Sequence, residues 1–114
     1  MTIDNLKAFG ADTELGLARC VGNEGLYFKL IRMILTDGNF SSLGKALEEK
    51  DLPRAFECAH ALKGTVGNLA LDPLYDEICV IVEPLRRNET DFAYAGQYDR
   101  IMSQLHRLQE LAGS

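Results

Sequence analysis

The 114-residue sequence lacks the long apolar run that a membrane-spanning helix requires. No segment approaches the roughly 18 consecutive apolar residues needed to cross a bilayer, and residues 1–5 carry neither the basic stretch nor the apolar run of a secretory signal. We therefore expect a cytoplasmic protein with no membrane association.

Cysteine is scarce and irregularly placed. Cys20, Cys58 and Cys79 are odd in number, far apart in sequence, and form no Cys-x-x-Cys pair. This spacing disfavours a disulfide framework or a zinc site and predicts buried, reduced thiols.

Positive charge is also in deficit, with 12 Lys and Arg against 17 Asp and Glu and a net charge of -5. This balance argues against a nucleic-acid partner and against binding to anionic membranes. With 46% hydrophobic and 25% charged residues, the chain is the size of one soluble domain, 1–114, with one modest core. Such a core leaves little room for a large substrate cleft.

Strand signals are weak, since the β-branched run 78–82 sits inside a longer helical pattern. Asn23 is a good N-cap, and Pro53 and Pro73 stand where the first turn of a helix tolerates proline. The periodicity predicts one or two short helices over 4–21, broken near Gly10 with Asp12 or Thr13 as N-cap, and then helices over 23–37, 41–49, 51–69, 72–88 and 90–112. The inward side chains predicted for the last helix are Tyr98, Ile101, Leu105, Leu108 and Ala112. Short connections between such helices predict an all-α fold, an up-and-down antiparallel four-helix bundle with short additional N-terminal helices.

The predicted helix 51–69 departs from a plain amphipathic pattern. His60 lies one residue past Ala59, about 100° around the helix from it, so we expect it to border the apolar stripe and reach solvent. Lys63, Gly64 and Gly67 follow at three, four and seven residues and share its edge. The stripe itself is Ala55 or Phe56, Ala59, Leu62, Val66 and Leu69.

The two glycines need a reason, because each costs roughly 0.5–1 kcal/mol relative to alanine inside a helix. In one interpretation, Gly64 and Gly67 leave bare backbone beside His60 so that another surface can approach closely. In the other, they permit tight packing of neighbouring helices or end the helix early. The adjacent His60 and Lys63 favour the first.

A solvent-reachable histidine suits a reversible phosphoryl carrier. The reference pKa of histidine near 6.5 leaves much of the imidazole neutral and nucleophilic at cytoplasmic pH. Lys63 can neutralise charge on a phosphoryl group held at His60. Glu57 either orients the ring or is a solvated acid, and His106 is interpreted as a surface residue.

The run 59–69 resembles the signature segment of bacterial histidine-containing phosphotransfer (HPt) domains, which centres on His-x-Leu-Lys-Gly, here residues 60–64. The flanks are also similar to that family: 22–31 to its opening helix pair, and 43–55 to its lead-in to the histidine. The resemblance therefore extends over most of the chain.

The resemblance implies a four-helix bundle in which His60 is phosphorylated, Lys63 assists the phosphoryl group and Gly64 admits the partner. The implied partners are receiver domains of response regulators or hybrid sensor kinases, which would dock on an apolar rim that includes Phe56 and residues of the first two helices. Magnesium and most catalytic groups belong to the receiver in this family. The chain is then expected to be a monomeric carrier that needs no cofactor or metal of its own and is not an enzyme.

Two positions depart from the family pattern. Relatives often place a polar residue on the facing helix to hold the imidazole, and the corresponding position here is Val82, followed by Glu83. Glu83 either reaches the ring or is a salt-bridging or solvated acid. Ala70 stands where many relatives have glycine.

Two alternatives from other classes stay open at this point. In the first alternative, the chain is the phosphoacceptor domain of a larger histidine kinase, although nothing in it resembles an ATP-binding lobe. In the second, it is a helical interaction module that is not phosphorylated. A metal-binding bundle is disfavoured because the required Glu-x-x-His pair occurs only once, at Glu57 and His60. Hydrolase chemistry lacks a nucleophile, a base and an orienting group together.

Overall fold

The chain is all-helical, as predicted. The computed structural model describes residues 1–113, which contain no strand. No helix in that range is long and apolar enough to cross a bilayer. The helices in chain order are α1 (Ile3–Phe9), α2 (Thr13–Arg19), α3 (Glu24–Leu35), α4 (Asn39–Glu48), α5 (Leu52–Asn68), α6 (Asp72–Arg86) and α7 (Tyr94–Ala112).

Side-chain caps place the starts of four helices, and at α1 the Thr2 hydroxyl oxygen accepts from the Asn5 N–H at 3.0 Å. Asp12, Asn23 and Asp51 each accept a hydrogen bond from the backbone N–H three residues on, at 3.1, 3.0 and 3.2 Å respectively. Such caps satisfy N–H groups that the helix leaves unpaired and contribute about 1 kcal/mol each. Because a cap is a local signal, the predicted starts of α2, α3 and α5 are confirmed.

Other boundaries differ from the predictions: α4 begins at Asn39 rather than Ser41, α6 ends at Arg86 rather than Asn88, and α7 begins at Tyr94 rather than Thr90. At α4 the Asp37 carboxylate accepts from the Asn39 N–H at 2.8 Å and starts the helix early. Residues 87–93 form a loop, which the Tyr94 hydroxyl holds by donating to the Glu89 carbonyl at 2.6 Å. No side chain within residues 1–113 caps the start of α7, so the sequence held no local signal for it.

The last four helices contact one another in turn. α4 packs on α5, α5 on α6 and α6 on α7, and α7 returns to α4; α1 and α3 also pack on α7. The Gln97 side chain joins α7 to α6 by donating to the Glu77 carbonyl at 2.8 Å. The Tyr98 hydroxyl joins α7 to α4 by donating to the Phe40 carbonyl at 2.9 Å. Tyr98 lies against Gly44 of α4 and is half-buried rather than buried.

The rest of the predicted inward face of α7 is buried except at its end. Ile101, Leu105 and Leu108 belong to the core, whereas Ala112 in the final turn is half-buried. The core takes buried side chains from six of the helices, and α2 packs half-buried Leu17 against it.

The three thiols are not joined in disulfides. Cys20 and Cys58 are buried as predicted, and burial raises the pKa of the Cys58 thiol. Cys79 is half-buried, which corrects the prediction, and its hydrogen bond with Tyr75 raises the pKa of that tyrosine.

The carboxyl end of α5 is fastened to the N-terminal helices. The Arg19 guanidinium donates to the Gly67 carbonyl at 2.7 Å and to the Asn68 carbonyl at 3.2 Å. The Tyr27 hydroxyl donates to carbonyl 69 and the Asp12 N–H to carbonyl 70, both at 3.0 Å. Donors from residues 12–27 thus reach the four consecutive carbonyls 67–70. These are among the groups that a helix end cannot satisfy by itself.

Ala70 turns the chain from α5 toward α6 in the left-handed conformation, with a φ of 56°. The left-handed conformation costs a residue with a Cβ roughly 1–2 kcal/mol of conformational free energy, and glycine does not have this cost. The left-handed turn explains why glycine would suit position 70.

The fully buried Tyr27 is expected to make stability fall at high pH. Burial, with help from Cys20 and Asp12, raises its pKa from 10.0 to about 12. The unfolded chain then loses the phenol proton first as pH rises above about 10, so the free energy of unfolding falls, by about 2–3 kcal/mol near pH 12. Urea unfolding of the wild type and Tyr27→Phe across this range tests this. At neutral pH the free energy of unfolding of Tyr27→Phe should be about 1 kcal/mol lower, because the hydrogen bond is lost. That free energy should also depend less on pH than in the wild type. Equal slopes against pH in the two proteins would contradict the assignment to Tyr27.

Candidate functional site

His60 lies in the middle of α5 at the border of the buried stripe, as predicted. Its neighbours Ala59 and Leu62 are fully buried, whereas the His60 side chain is exposed. The helix therefore anchors the residue through its neighbours while leaving the imidazole accessible.

His60 lines an open groove of about 470 Å³. The groove brings together four of the predicted site residues, all from α5, with side chains of α2, α6 and the turn between α5 and α6. Its lining consists of Leu15, Arg19, His60, Lys63, Gly64, Gly67, Ala70, Asp72 and Tyr75.

The two glycines of α5 differ in their surroundings. Apart from its own helix backbone and chain neighbours, a Cβ added to Gly64 would have no heavy atom within 4 Å, so that stretch of backbone is open beside His60. A Cβ added to Gly67 would lie 2.7 Å from Cε1 of Tyr75. The first interpretation, open backbone for an approaching surface, therefore fits Gly64. The second, close packing against a neighbouring helix, fits Gly67, although both residues line the groove.

Alanine substitutions should separate the two glycines. Gly64→Ala is expected to raise the free energy of unfolding by about 0.5–1 kcal/mol, because it removes backbone entropy without a clash. Gly67→Ala is expected to lower it by about 1–3 kcal/mol, because the Tyr75 ring must move. Chemical unfolding measures both, and Tyr75→Ala should relieve the Gly67→Ala cost. A stabilising Gly67→Ala would contradict the packing role.

Phe56 stacks on the histidine. The ring centroids of Phe56 and His60 are 5.5 Å apart with an interplanar angle of 27°. The guanidinium of Arg86, on α6, lies 5.1 Å from the Phe56 ring centroid. Within the described part of the chain no side chain hydrogen-bonds the imidazole. The contact that constrains the ring is therefore the stack on half-buried Phe56.

Within residues 1–113 neither acidic candidate forms a hydrogen bond or an ion pair with the ring. Glu57 is exposed, and Glu83 accepts a hydrogen bond from Arg86 at 3.3 Å, so its salt-bridging interpretation fits. Val82 is fully buried in the core. The facing helix thus supplies no polar partner from either position, and His106 is exposed on α7, as predicted for a surface residue.

Charges of both signs line the groove. Lys63 is half-buried beside His60, and Arg19 stands further along, hydrogen-bonded to the end of α5. Asp72 opposes them; partial burial raises the pKa of its carboxyl, with Asp76 and Asp12 adding to the effect and Arg19 counteracting it. Among residues 1–113 no group of three His, Cys, Asp or Glu side chains could hold a metal ion.

Sequence reasoning missed the groove residues contributed by α2 and α6. Arg19 and Leu15 precede His60 by more than 40 residues, and no periodicity within α5 points to them. The sequence pattern marks Asp72 only as the first residue of the predicted helix 72–88.

Comparison of the chain with protein-family models, with curated proteins and with solved structures gives no match.

Proposed function

We propose that this chain is a histidine phosphotransfer protein of a two-component phosphorelay. In this proposal His60 accepts a phosphoryl group from an aspartyl phosphate on one receiver domain and passes it to another. The observation that carries it is an exposed imidazole in a groove beside Lys63 and the uncovered backbone of Gly64.

The proposal includes the bundle architecture of that family. The contacts of α4 with α5, α5 with α6, α6 with α7 and α7 with α4 support an up-and-down four-helix bundle formed by these helices. The hydrogen bonds from Gln97 to α6 and from Tyr98 to α4 support the same arrangement. The N-terminal helices α1 and α2 would then be additions to the bundle, and α2 lines part of the groove.

The chemistry divides between the two proteins. A neutral imidazole nitrogen of His60 attacks phosphorus, the bond from phosphorus to the aspartyl oxygen breaks, and the receiver regains its carboxylate. Lys63 offsets the negative charge of the phosphoryl group. Magnesium belongs to the receiver, so this chain is a carrier rather than an enzyme, and we expect it to act as a cytoplasmic monomer.

Docking would use the apolar side chains near the histidine. Phe56 stacks on the ring, and Leu15 lines the groove and is 41% exposed. Signalling contacts of this kind are modest in area and transient, which suits a protein that must release one receiver before it meets the next.

Phosphotransfer from a panel of phosphorylated receiver domains tests the proposal. We expect the chain to take up a label that is acid-labile and alkali-stable, as a phosphoramidate bond is. An acid-stable label would place phosphorylation on a hydroxyl group. No uptake from any receiver would favour the interaction module that is not phosphorylated.

A further inference from the structure

No polar side chain among residues 1–113 holds the imidazole of His60, and within that range the one aromatic ring that stacks on it is Phe56. An exposed histidine side chain turns about two bonds and moves between staggered orientations within nanoseconds. Only some of these orientations aim a ring nitrogen at a group in the groove. A contact that favours one of them raises the fraction of time in which His60 is ready to react.

Phe56 lies one turn before His60 on α5, where side chains four residues apart meet. The centroid distance of 5.5 Å and the interplanar angle of 27° are those of an offset stack. Phe56 is half-buried and packs against the core, whereas His60 is exposed. The phenyl ring is therefore the more fixed of the two, and it limits the orientations of the imidazole.

Arg86 contacts the same phenyl ring from α6. This helix follows α5 after residues 69–71, so the two helices run in opposite directions. The Arg86 guanidinium lies 5.1 Å from the Phe56 centroid, which is within the range of a cation–π contact. Glu83, one turn earlier on α6, accepts a hydrogen bond from Nε of Arg86 at 3.3 Å. A series of contacts thus leads from Glu83 through Arg86 and Phe56 to His60.

We infer that Phe56 and Arg86 are positioning residues for His60. The guanidinium restrains the phenyl ring, and the phenyl ring restrains the imidazole. The facing helix supplies no hydrogen bond for this purpose, because Val82, one turn before Arg86, is fully buried and apolar. The inference rests on the proposed phosphotransfer function and deepens it. In this role neither side chain acts on phosphorus, and both act through the orientation of the imidazole.

NMR spectra of the two histidines test the stack without any partner. The ring current of Phe56 should shift the ring-proton resonances of His60 upfield of those of His106, an exposed histidine on α7. Phe56→Leu should remove that upfield shift, and Arg86→Ala should reduce it. Phe92→Leu changes another half-buried phenylalanine, which lies in the loop before α7, and should leave the His60 resonances in place.

Labelling by phosphoramidate tests the effect on reactivity without a docked receiver. A ring nitrogen of His60 bonds to phosphorus, the phosphorus–nitrogen bond of phosphoramidate breaks, and ammonia leaves with its electron pair. Phe56→Leu should slow labelling about three- to tenfold, and Arg86→Ala about three- to fivefold. Arg86→Lys keeps a cation and should react within about twofold of the wild type. Arg87→Ala is the matched control and should react at the wild-type rate, because exposed Arg87 pairs with Glu89 at 2.7 Å.

Two outcomes would overturn the inference. One is a Phe56→Leu variant with unchanged His60 resonances, and the other is a Phe56→Leu or Arg86→Ala variant that phosphoramidate labels at the wild-type rate. Both leave the phosphotransfer proposal standing, because it needs a reactive His60 but not this means of orienting it. Expected results in both tests, with no label from any receiver, would overturn the phosphotransfer proposal and leave the positioning of His60 established. Thermal unfolding shows that each variant compared is folded, as we expect for a change at exposed Arg86.

Discussion

His60→Gln is expected to abolish phosphoryl acceptance and leave the protein folded. Glutamine has no nucleophilic ring nitrogen, so no bond to phosphorus forms. The side chain is exposed, and its loss removes one ring stack on Phe56, worth about 1 kcal/mol or less. Labelled transfer from a phosphorylated receiver measures the first effect, and thermal unfolding measures the second.

His106→Gln is the matched control for this variant. It removes the other histidine of the chain, which is also exposed but lies on α7. We expect it to accept label like the wild type. Label retained by His60→Gln would move the site to another residue and contradict the proposed role of His60.

Gly64→Gln is expected to slow phosphotransfer by about ten- to a hundredfold while keeping His60 in place. The glycine backbone is uncovered beside the histidine, and a glutamine side chain would stand between the imidazole and an approaching receiver. The same change replaces a helical glycine with a better helix former, so the melting temperature should hold or rise. Transfer rates and thermal unfolding of the same preparation give both results.

Gly96→Gln separates obstruction from helix propensity. Gly96 is also an exposed helical glycine with no heavy atom within 4 Å of an added Cβ, but it lies in α7. Gly96 lies in the first turn of α7, so we expect a smaller gain in stability there and transfer at the wild-type rate. If Gly64→Gln also transferred at that rate, the open backbone beside His60 would have no part in docking.

The parts of the fold that the sequence predicted are those governed by local interactions. Asp12, Asn23 and Asp51 cap helices through atoms only three residues away, and the stripe on α5 repeats with the helical period. The exposure of His60 followed from its angle to that stripe. The start of α7 escaped prediction because no side chain within residues 1–113 caps it.

The composition of the groove depended on tertiary contacts, which a local pattern does not contain. The spacing of Gly64 and Gly67 is equally suited to open approach and to helix packing, and only the position of Tyr75 on α6 distinguishes them. In the same way, Glu83 stood one residue from the facing position, and its pairing with Arg86 became visible only in the folded chain.

The fastening of α5 by residues 12–27 also bears on how separable the histidine-bearing helix is. α5 has no basic residue in its last turn to offset the negative end of its dipole, and Arg19 of α2 supplies that positive charge from outside the helix. A transplant of residues 51–69 into another bundle would therefore carry the histidine but leave the helix end uncompensated. Grafting the reactive segment with a stable carboxyl end would require the α2 segment, or a new cation in its place, as part of the same insert.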